Sequence, residues 1–264
     1  MIFDKHQVLR KCIPDKIVGI YYFMDAQDNI LYIGKSINIK KRIDQHFKTG
    51  RKRMLAAFEK LKIKKLHTEL EALLLESQEI KRYTPRYNRR LRRSRNSFSI
   101  FQKVNKYSYL VYYVAETNPS SLLNFMGKRQ ALSFLGRLSN RFTLCEKLNG
   151  LDFSTKSCFK YQLKSCNGAC VGKESVDSYN QRFEESLSSL FELPTNCNLV
   201  FREGKLETHL TISNNQLSQF GVKGKSEYSI EFSSYDEMRI IITYQKKNPK
   251  KLLSMQPHSK NTHK

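Results

Sequence analysis

The sequence predicts an α+β protein: a small antiparallel sheet flanked by helices, then a cysteine-rich helical segment, then a small β-rich C-terminal region. Three observations carry this. Two apolar runs, Val18-Gly19-Ile20-Tyr21-Tyr22-Phe23-Met24 and Ile30-Leu31-Tyr32-Ile33, are rich in β-branched and aromatic residues and flank the turn-forming Asp25-Ala26-Gln27-Asp28-Asn29. Helical periodicities with start signals follow this hairpin. Four cysteines then fall within the 26 residues from Cys145 to Cys170, before a region of short alternating stretches.

Each element has its own signal. Residues 1–17 are poorly patterned and carry no assigned chemistry. Asn38 is a helix N-cap, followed by Ile39, Ile43 and Phe47 on one face, with Gly50 as the stop. Arg42 and His46 are four residues apart on that helix and Lys35 just precedes it, so three cationic or potentially cationic groups face the hairpin. Thr68-Glu69-Leu70-Glu71 reads as a capping box; Leu70, Leu73, Leu74, Ser77 and Ile80 then form a buried face that ends near Thr84, before Pro85. Glu76 sits at the edge of that face, held against the core. Residues 97–114 read as two strands, 128–138 as a helix and 175–190 as another. Strands are expected at 199–202, 205–212, 228–232 and 238–244, with a disordered basic tail over 246–264.

Charge narrows the partner. Across 264 residues, 47 Lys and Arg against 24 Asp and Glu give a net charge of +23. Such a surface favours a polyanion, because phosphate contacts release counterions. A membrane surface would need an amphipathic anchor as well, and none is visible; the first twenty residues lack the apolar core of a signal peptide. The expectation is a soluble, cytoplasmic protein with no membrane partner. From Lys35 to Arg95 there are 20 basic residues against 6 acidic ones, which places the basic excess around the hairpin. Lys40, Lys41, Arg89, Arg90, Arg92 and Arg93 are the expected contacts to that polyanion.

Gly19-Ile20-Tyr21, Tyr32-Ile33-Gly34-Lys35, Arg42, His46, Glu76 and Asn88 stand in an order and spacing that resembles the GIY-YIG nuclease family. Taken singly, strand tyrosines are more often packing residues and a basic helix face is more often merely solvated; the joint occurrence over 70 residues reverses the odds. Leu74-Leu75-Glu76 through Ile80-Lys81, then Pro85-Arg86-Tyr87-Asn88, resembles more narrowly the UvrC branch of that family.

The resemblance implies a GIY-YIG nuclease domain over 15–96, a UvrC-like linker and cysteine-rich region over 97–192, and a β-rich region over 193–245. It implies metal-dependent hydrolysis of a DNA phosphodiester. One Mg²⁺ or Mn²⁺ would sit on Glu76, the single acid at a family-type position, completed by water and phosphate oxygens. Arg42 would clamp the scissile phosphate, and Lys35 would lower the pKa of a neighbouring phenol or water. Tyr21 is expected as base and Tyr32 as the orienting hydroxyl. His46, where a tyrosine is often found in this branch, would position water or phosphate, and Asn88 would fix the site or touch DNA.

Cys145, Cys158, Cys166 and Cys170 have the spacing C-x₁₂-C-x₇-C-x₃-C, which is not a regular zinc-finger pattern. Four thiolates can hold Zn²⁺ or a [4Fe-4S] cluster, and spacing alone does not separate them. The resemblance to UvrC implies the cluster. Cys12 and Cys197 are not assigned as ligands. By the same resemblance the substrate is damaged double-stranded DNA cut on the 3′ side of a lesion in nucleotide excision repair, with UvrB as partner and UvrA acting upstream. A stand-alone nuclease for branched DNA and a non-catalytic DNA-binding regulator are the competing expectations.

Overall fold

The computed structural model describes residues 1–49, 51–88, 97–118, 120–190 and 192–257. The chain forms two compact units, Met1–Arg93 with Thr195–Lys264, and Ser94–Pro194.

The first unit opens with strand β1 (Ile2–Asp4) and helix α1 (Lys5–Leu9), which Asp4 caps by accepting the Gln7 N–H at 2.8 Å. The hairpin is β2 (Gly19–Met24) and β3 (Ile30–Ser36), with Asp25 Oδ1 accepting the N–H groups of Gln27 and Asn29 in its turn. Its register sets Tyr21 opposite Gly34 and Phe23 opposite Tyr32. Helices α2 (Ile39–Lys48) and α3 (Lys52–Ala57), strand β4 (Lys60–Lys65) and helix α4 (Glu69–Tyr83) follow. The sheet runs β1-β4-β2-β3, antiparallel throughout. Tyr21, Phe23, Ile39, Ile43, Phe58 and Leu61 form its core, each contributing about 1.5–3 kcal/mol by burial.

The second unit holds β5 (Phe98–Val104), β6 (Leu110–Glu116) and β7 (Leu123–Phe125) in the order β6-β5-β7, with α5 (Lys128–Arg141), α6 (Phe159–Gln162) and α7 (Val176–Ser188). Tyr112 stacks on Phe183 at 4.2 Å between centroids, which fastens α7 to β6.

The chain then returns to the first unit with β8 (Cys197–Glu203), β9 (Leu206–Ser213), β10 (Gln216–Val222), β11 (Ser226–Ser229), α8 (Tyr235–Lys247) and β12 (Leu252–Pro257). This sheet runs β11-β10-β9-β8-β12. Helix α8 packs on α4.

Several expectations are corrected. Residues 238–244 are helical: Ser234 and Glu237 form a capping box, and Met238, Ile241 and Tyr244 recur at helical spacing to bury one face, which overrides the β preference of Ile240-Ile241-Ile242-Thr243. The expected basic tail contains β12, paired antiparallel with β8, as far as Pro257. The region 193–245, set apart from 15–96 in the sequence reading, falls from Thr195 onward in the same compact unit as Met1–Arg93. On α2 the buried trio is Ile39, Ile43 and His46, while Phe47 is exposed.

The reason the C-terminal lobe joins the nuclease-type lobe lies on α4, which is buried nearly all round. Besides Leu70, Leu74 and Ile80, it buries Glu71, Ser77, Gln78 and Lys81. Lys81 Nζ meets Glu237 Oε1 at 2.5 Å and Ser234 Oγ at 2.7 Å; Ser77 Oγ and Gln78 Nε2 also donate to Glu237 Oε1. Glu71 Oε1 accepts the Ser226 hydroxyl at 2.6 Å. Buried charge persists only when paired and hydrogen-bonded; here the partners of Lys81 and those quoted for Glu71, Ser77 and Gln78 come from α8 or the strand and loop before it, with His67 adding a second set of bonds to Glu71.

Candidate active site

The site begins at the hairpin. Tyr21 on β2 is wholly buried and points over Gly34, where an added Cβ would collide with the Tyr21 phenol and crowd the Tyr32 ring. Gly19 is likewise obligatory, because a Cβ there would strike the carbonyl of Lys64 on β4. The two glycines thus let aromatic rings and neighbouring backbone approach the strands.

Tyr21 Oη lies 2.7 Å from His46 Nε2. Tyr32 and His46 are edge-to-face, with ring centroids 5.4 Å apart. Burial, with the approach of Tyr32, pushes the Tyr21 phenol well above the ordinary range, while Arg42 beside it pulls the other way. Burial also drops His46 to about 4, helped by the positive charges of Arg51 and Arg42. At neutral pH the imidazole is therefore uncharged and the phenol keeps its proton, so Tyr21 donates and His46 accepts.

Glu76 on α4 faces the same hairpin. Its Oε1 accepts the Lys35 backbone N–H at 3.0 Å, and burial raises its carboxyl to about 7 against the pull of Lys35 and Arg42. The Lys35 ammonium itself pairs with Glu69 Oε1 at 2.7 Å. For the phenol of Tyr21 the cation close enough to act is Arg42, and burial outweighs it. Arg42 is exposed, with Nη1 donating to Gln45 Oε1 at 3.0 Å. Asn88 reaches back to β3, accepting the Ile33 N–H at 2.9 Å and donating to the Ile33 carbonyl at 2.8 Å. That two-point clasp ties the segment after α4 to the strand carrying Tyr32.

Of the expected DNA contacts, Lys40 pairs with Asp15 at 3.0 Å and Lys41 is exposed. Arg89, Arg90, Arg92 and Arg93 lie outside the described residues. The sequence reading missed Arg51, whose guanidinium sits 4.5 Å from the Tyr32 ring centroid. Its only signal was its place in the basic run Arg51-Lys52-Arg53, where no spacing set it apart. It missed Glu69 for a related reason, because a carboxylate in the first turn of a helix reads as a dipole partner.

In the second unit the sulfurs of Cys145, Cys158 and Cys166 all lie within 4.8 Å of one another. Burial raises the Cys158 thiol to about 11, with Cys166 and Cys170 close enough to add to it. Hydrogen bonding with Cys145 pulls the Cys166 thiol below its ordinary value, to about 6, and the same bond raises Cys145. None of the four is in a disulfide. Four converging thiols, one of them already inclined to ionise, fit a soft metal centre of the Zn²⁺ or iron–sulfur type. Cys12 and Cys197 belong to the first unit.

The hairpin, the capped α4 carrying one inward carboxylate and the cationic α2 define a GIY-YIG domain. Residues 17–89 match the UvrC-like GIY-YIG domain, and residues 97–189 match the middle domain of UvrC/Cho excinucleases. The chain thus carries a stretch similar to the UvrC-like GIY-YIG domain followed by a stretch similar to the UvrC/Cho middle domain. It is 37% identical over 180 residues to excinuclease cho of Escherichia coli, covering 65% of this chain and 60% of that protein. It is 31% identical over 188 residues to the UvrABC system protein C of Nitrosococcus oceani, covering 68% of this chain and 31% of that protein. The chain therefore spans about three-fifths of the length of the cho relatives it matches. Among solved structures, the GIY-YIG N-terminal endonuclease domain of UvrC from Thermotoga maritima, bound to magnesium, is 25% identical with a TM-score of 0.29, covering 32% of this chain and 93% of that one. Both matched segments end before Thr195, so the C-terminal lobe lies outside them. No helix among the described residues is long and apolar enough to cross a membrane.

Proposed function

We propose that this protein is a divalent-metal-dependent DNA endonuclease of nucleotide excision repair, which hydrolyses one phosphodiester on the 3′ side of a lesion after UvrA and UvrB have marked it. The observation that carries the reading is the buried Tyr21–His46 contact of 2.7 Å beside Arg42 and Glu76. These groups meet the needs of phosphodiester hydrolysis: a route for the proton of the attacking water, a cation for the phosphate, and a carboxylate for a metal.

Tyr21 is too poor an acid to act as a free phenolate. It can instead take the water's proton while passing its own to His46 Nε2, which burial keeps neutral and receptive. Arg42, exposed at the mouth of the site, clamps the phosphate oxygens as their charge builds. Lys35 orients Glu76 through its backbone N–H, and Asn88 holds β3 in place. Glu76 would hold the single Mg²⁺ or Mn²⁺, which when bound supplies Lewis acidity to the phosphate and help for the departing oxygen.

For the cysteine cluster we propose a [4Fe-4S] centre of structural role, with Zn²⁺ as the second reading. Duplex DNA carrying one bulky adduct, incubated with the protein and Mg²⁺ or Mn²⁺, with and without UvrA and UvrB, tests the activity. A nick on the 3′ side of the adduct that depends on UvrA and UvrB is expected. Nicking of branched duplexes without those proteins would replace the repair reading by that of a stand-alone nuclease, and no nicking of any DNA would overturn both.

A further inference from the structure

The groove between α4 and α8, next to the candidate active site, takes one wall from the matched segment 17–89 and the other from the C-terminal lobe, which lies outside both matched segments. It encloses about 400 Å³ and is walled by Lys35 and Glu69 on one side and by Arg239, Thr243, Lys247 and Asn248 on the other. Arg239, Thr243 and Lys247 are spaced four apart, so they form one exposed stripe along α8, while Glu237, Ile241 and Tyr244 are buried beneath. The stripe spans about 12 Å, two turns of helix.

Charge in the groove is unbalanced. Lys35, Arg239 and Lys247 face a single carboxylate, Glu69, which Lys35 already holds at 2.7 Å. Arg239 reaches Asp236 at 3.3 Å from an exposed position, and no described residue pairs with Lys247. Lys35 belongs to both places: its N–H donates to Glu76 and its side chain lines the groove. A strand whose scissile phosphate lies at Arg42 and Glu76 has Lys35 and then this cationic groove directly alongside.

We propose that the stripe Arg239-Thr243-Lys247 is a subsite for the DNA sugar-phosphate backbone, by which the C-terminal lobe grips the strand flanking the scissile bond. The inference rests on the nuclease reading above and adds to it a binding element borne by the C-terminal lobe. The residues suit it: an exposed arginine fork and a lysine supply charge-assisted bonds to phosphate, and the threonine hydroxyl between them can donate to a third oxygen. The contact reads no sequence, as expected of an enzyme that must act wherever damage lies.

The test uses the full chain and a fluorescein-labelled duplex with one bulky adduct, measured by anisotropy over a range of salt concentrations without metal, with nicking measured in parallel. The double variant R239Q/K247Q removes two surface charges. It is expected to bind roughly 10-fold more weakly, with a salt slope shallower by about two phosphate contacts. R239K/K247R should bind like the wild type, and K223Q/K225Q, which removes two charges from the β10–β11 turn, should lose far less. Unchanged affinity and slope in R239Q/K247Q, or an equal loss in K223Q/K225Q, would overturn the subsite whatever the nicking result. If no variant or wild-type protein nicks DNA but R239Q/K247Q alone loses affinity, the subsite stands and the nuclease reading fails.

Discussion

Tyr21 and His46, 25 residues apart in sequence, meet at 2.7 Å beneath the hairpin, and their acidities are driven in opposite directions by the same burial. The phenol holds its proton more tightly and the imidazole refuses one. On the proposed proton route through this pair, Tyr21→Phe and His46→Phe should both be slow, by roughly 10²–10⁴-fold in single-turnover nicking. Their double variant should be little worse than either single one, because residues acting as a unit are not additive. His46→Phe cutting at the wild-type rate would remove His46 from the proton path.

The same burial makes His46 a source of pH-dependent stability. Its folded pKa, about 4, lies below the unfolded value of about 6.5, so between these values the unfolded chain binds the proton and the folded chain does not. Stability is therefore full above pH 6.5 and falls as pH drops toward 4, by at most about 3 kcal/mol from this residue. Urea unfolding at pH 7 and pH 4.5 should show a drop that shrinks in His46→Phe, and an NMR titration should show a neutral imidazole at pH 5.5. An imidazole protonated at pH 6 would contradict the reading.

Glu76 faces the hairpin with a backbone N–H as the hydrogen-bond donor to its carboxylate, whereas Glu69 is taken by the Lys35 ammonium and Glu79 accepts the Tyr22 hydroxyl at 2.9 Å. Glu76→Gln preserves shape and can still accept the Lys35 N–H. It should bind duplex DNA normally, lose nicking below detection with Mg²⁺ and Mn²⁺, and bind Mn²⁺ at least 10-fold more weakly by electron paramagnetic resonance. Normal nicking by this variant would put the metal elsewhere.

The hairpin, α2, α4 and the members of the site were legible because each rests on a local signal: alternating apolar residues, an Asn38 or Thr68 cap, and a motif order matching a known family. What was not legible is non-local. Ser77 was placed on the buried face of α4, but Glu71, Gln78 and Lys81 lie off that face and are nonetheless buried, by partners more than 150 positions away. Helix α8 hid behind its β-branched run, and only its capping box hinted otherwise. Arg51 and Glu69 owe their place to the tertiary approach of Tyr32 and Lys35, which no spacing announces.

The cysteine set makes a separate prediction. Protein purified without oxygen should contain bound metal in proportion to chain: iron with sulfide and a broad absorption near the violet for a [4Fe-4S] centre, or zinc alone for the second reading. Cys158→Ser, removing a thiol close to Cys166 and Cys170, should lower metal content and destabilise the second unit, whereas Cys12→Ser, on an exposed thiol of the first unit, should change neither. Full metal content in Cys158→Ser would exclude it as a ligand.

The last prediction concerns Lys81 and Glu237, which couple α4 to α8 through a contact of 2.5 Å with both side chains buried. Removing one partner of such a pair leaves a buried charge without its counterpart, at a cost of about 3–5 kcal/mol. Lys81→Met should therefore be strongly destabilised in urea unfolding. Glu237→Gln removes the charge and keeps the shape, but turns one of the two accepting oxygens, which take bonds from Ser77 and Gln78 on one side and Ser234 on the other, into a donor. In the Lys81→Met background it should recover a large part of the loss, giving a coupling energy above about 1 kcal/mol in a double-mutant cycle. Because Ser77, Gln78 and Lys81 follow Glu76 on one helix, Lys81→Met should also slow nicking under conditions where the chain remains folded, and the Glu237→Gln partner should restore part of it. Stability within about 0.5 kcal/mol of wild type in Lys81→Met would mean that α8 covers α4 without bracing it.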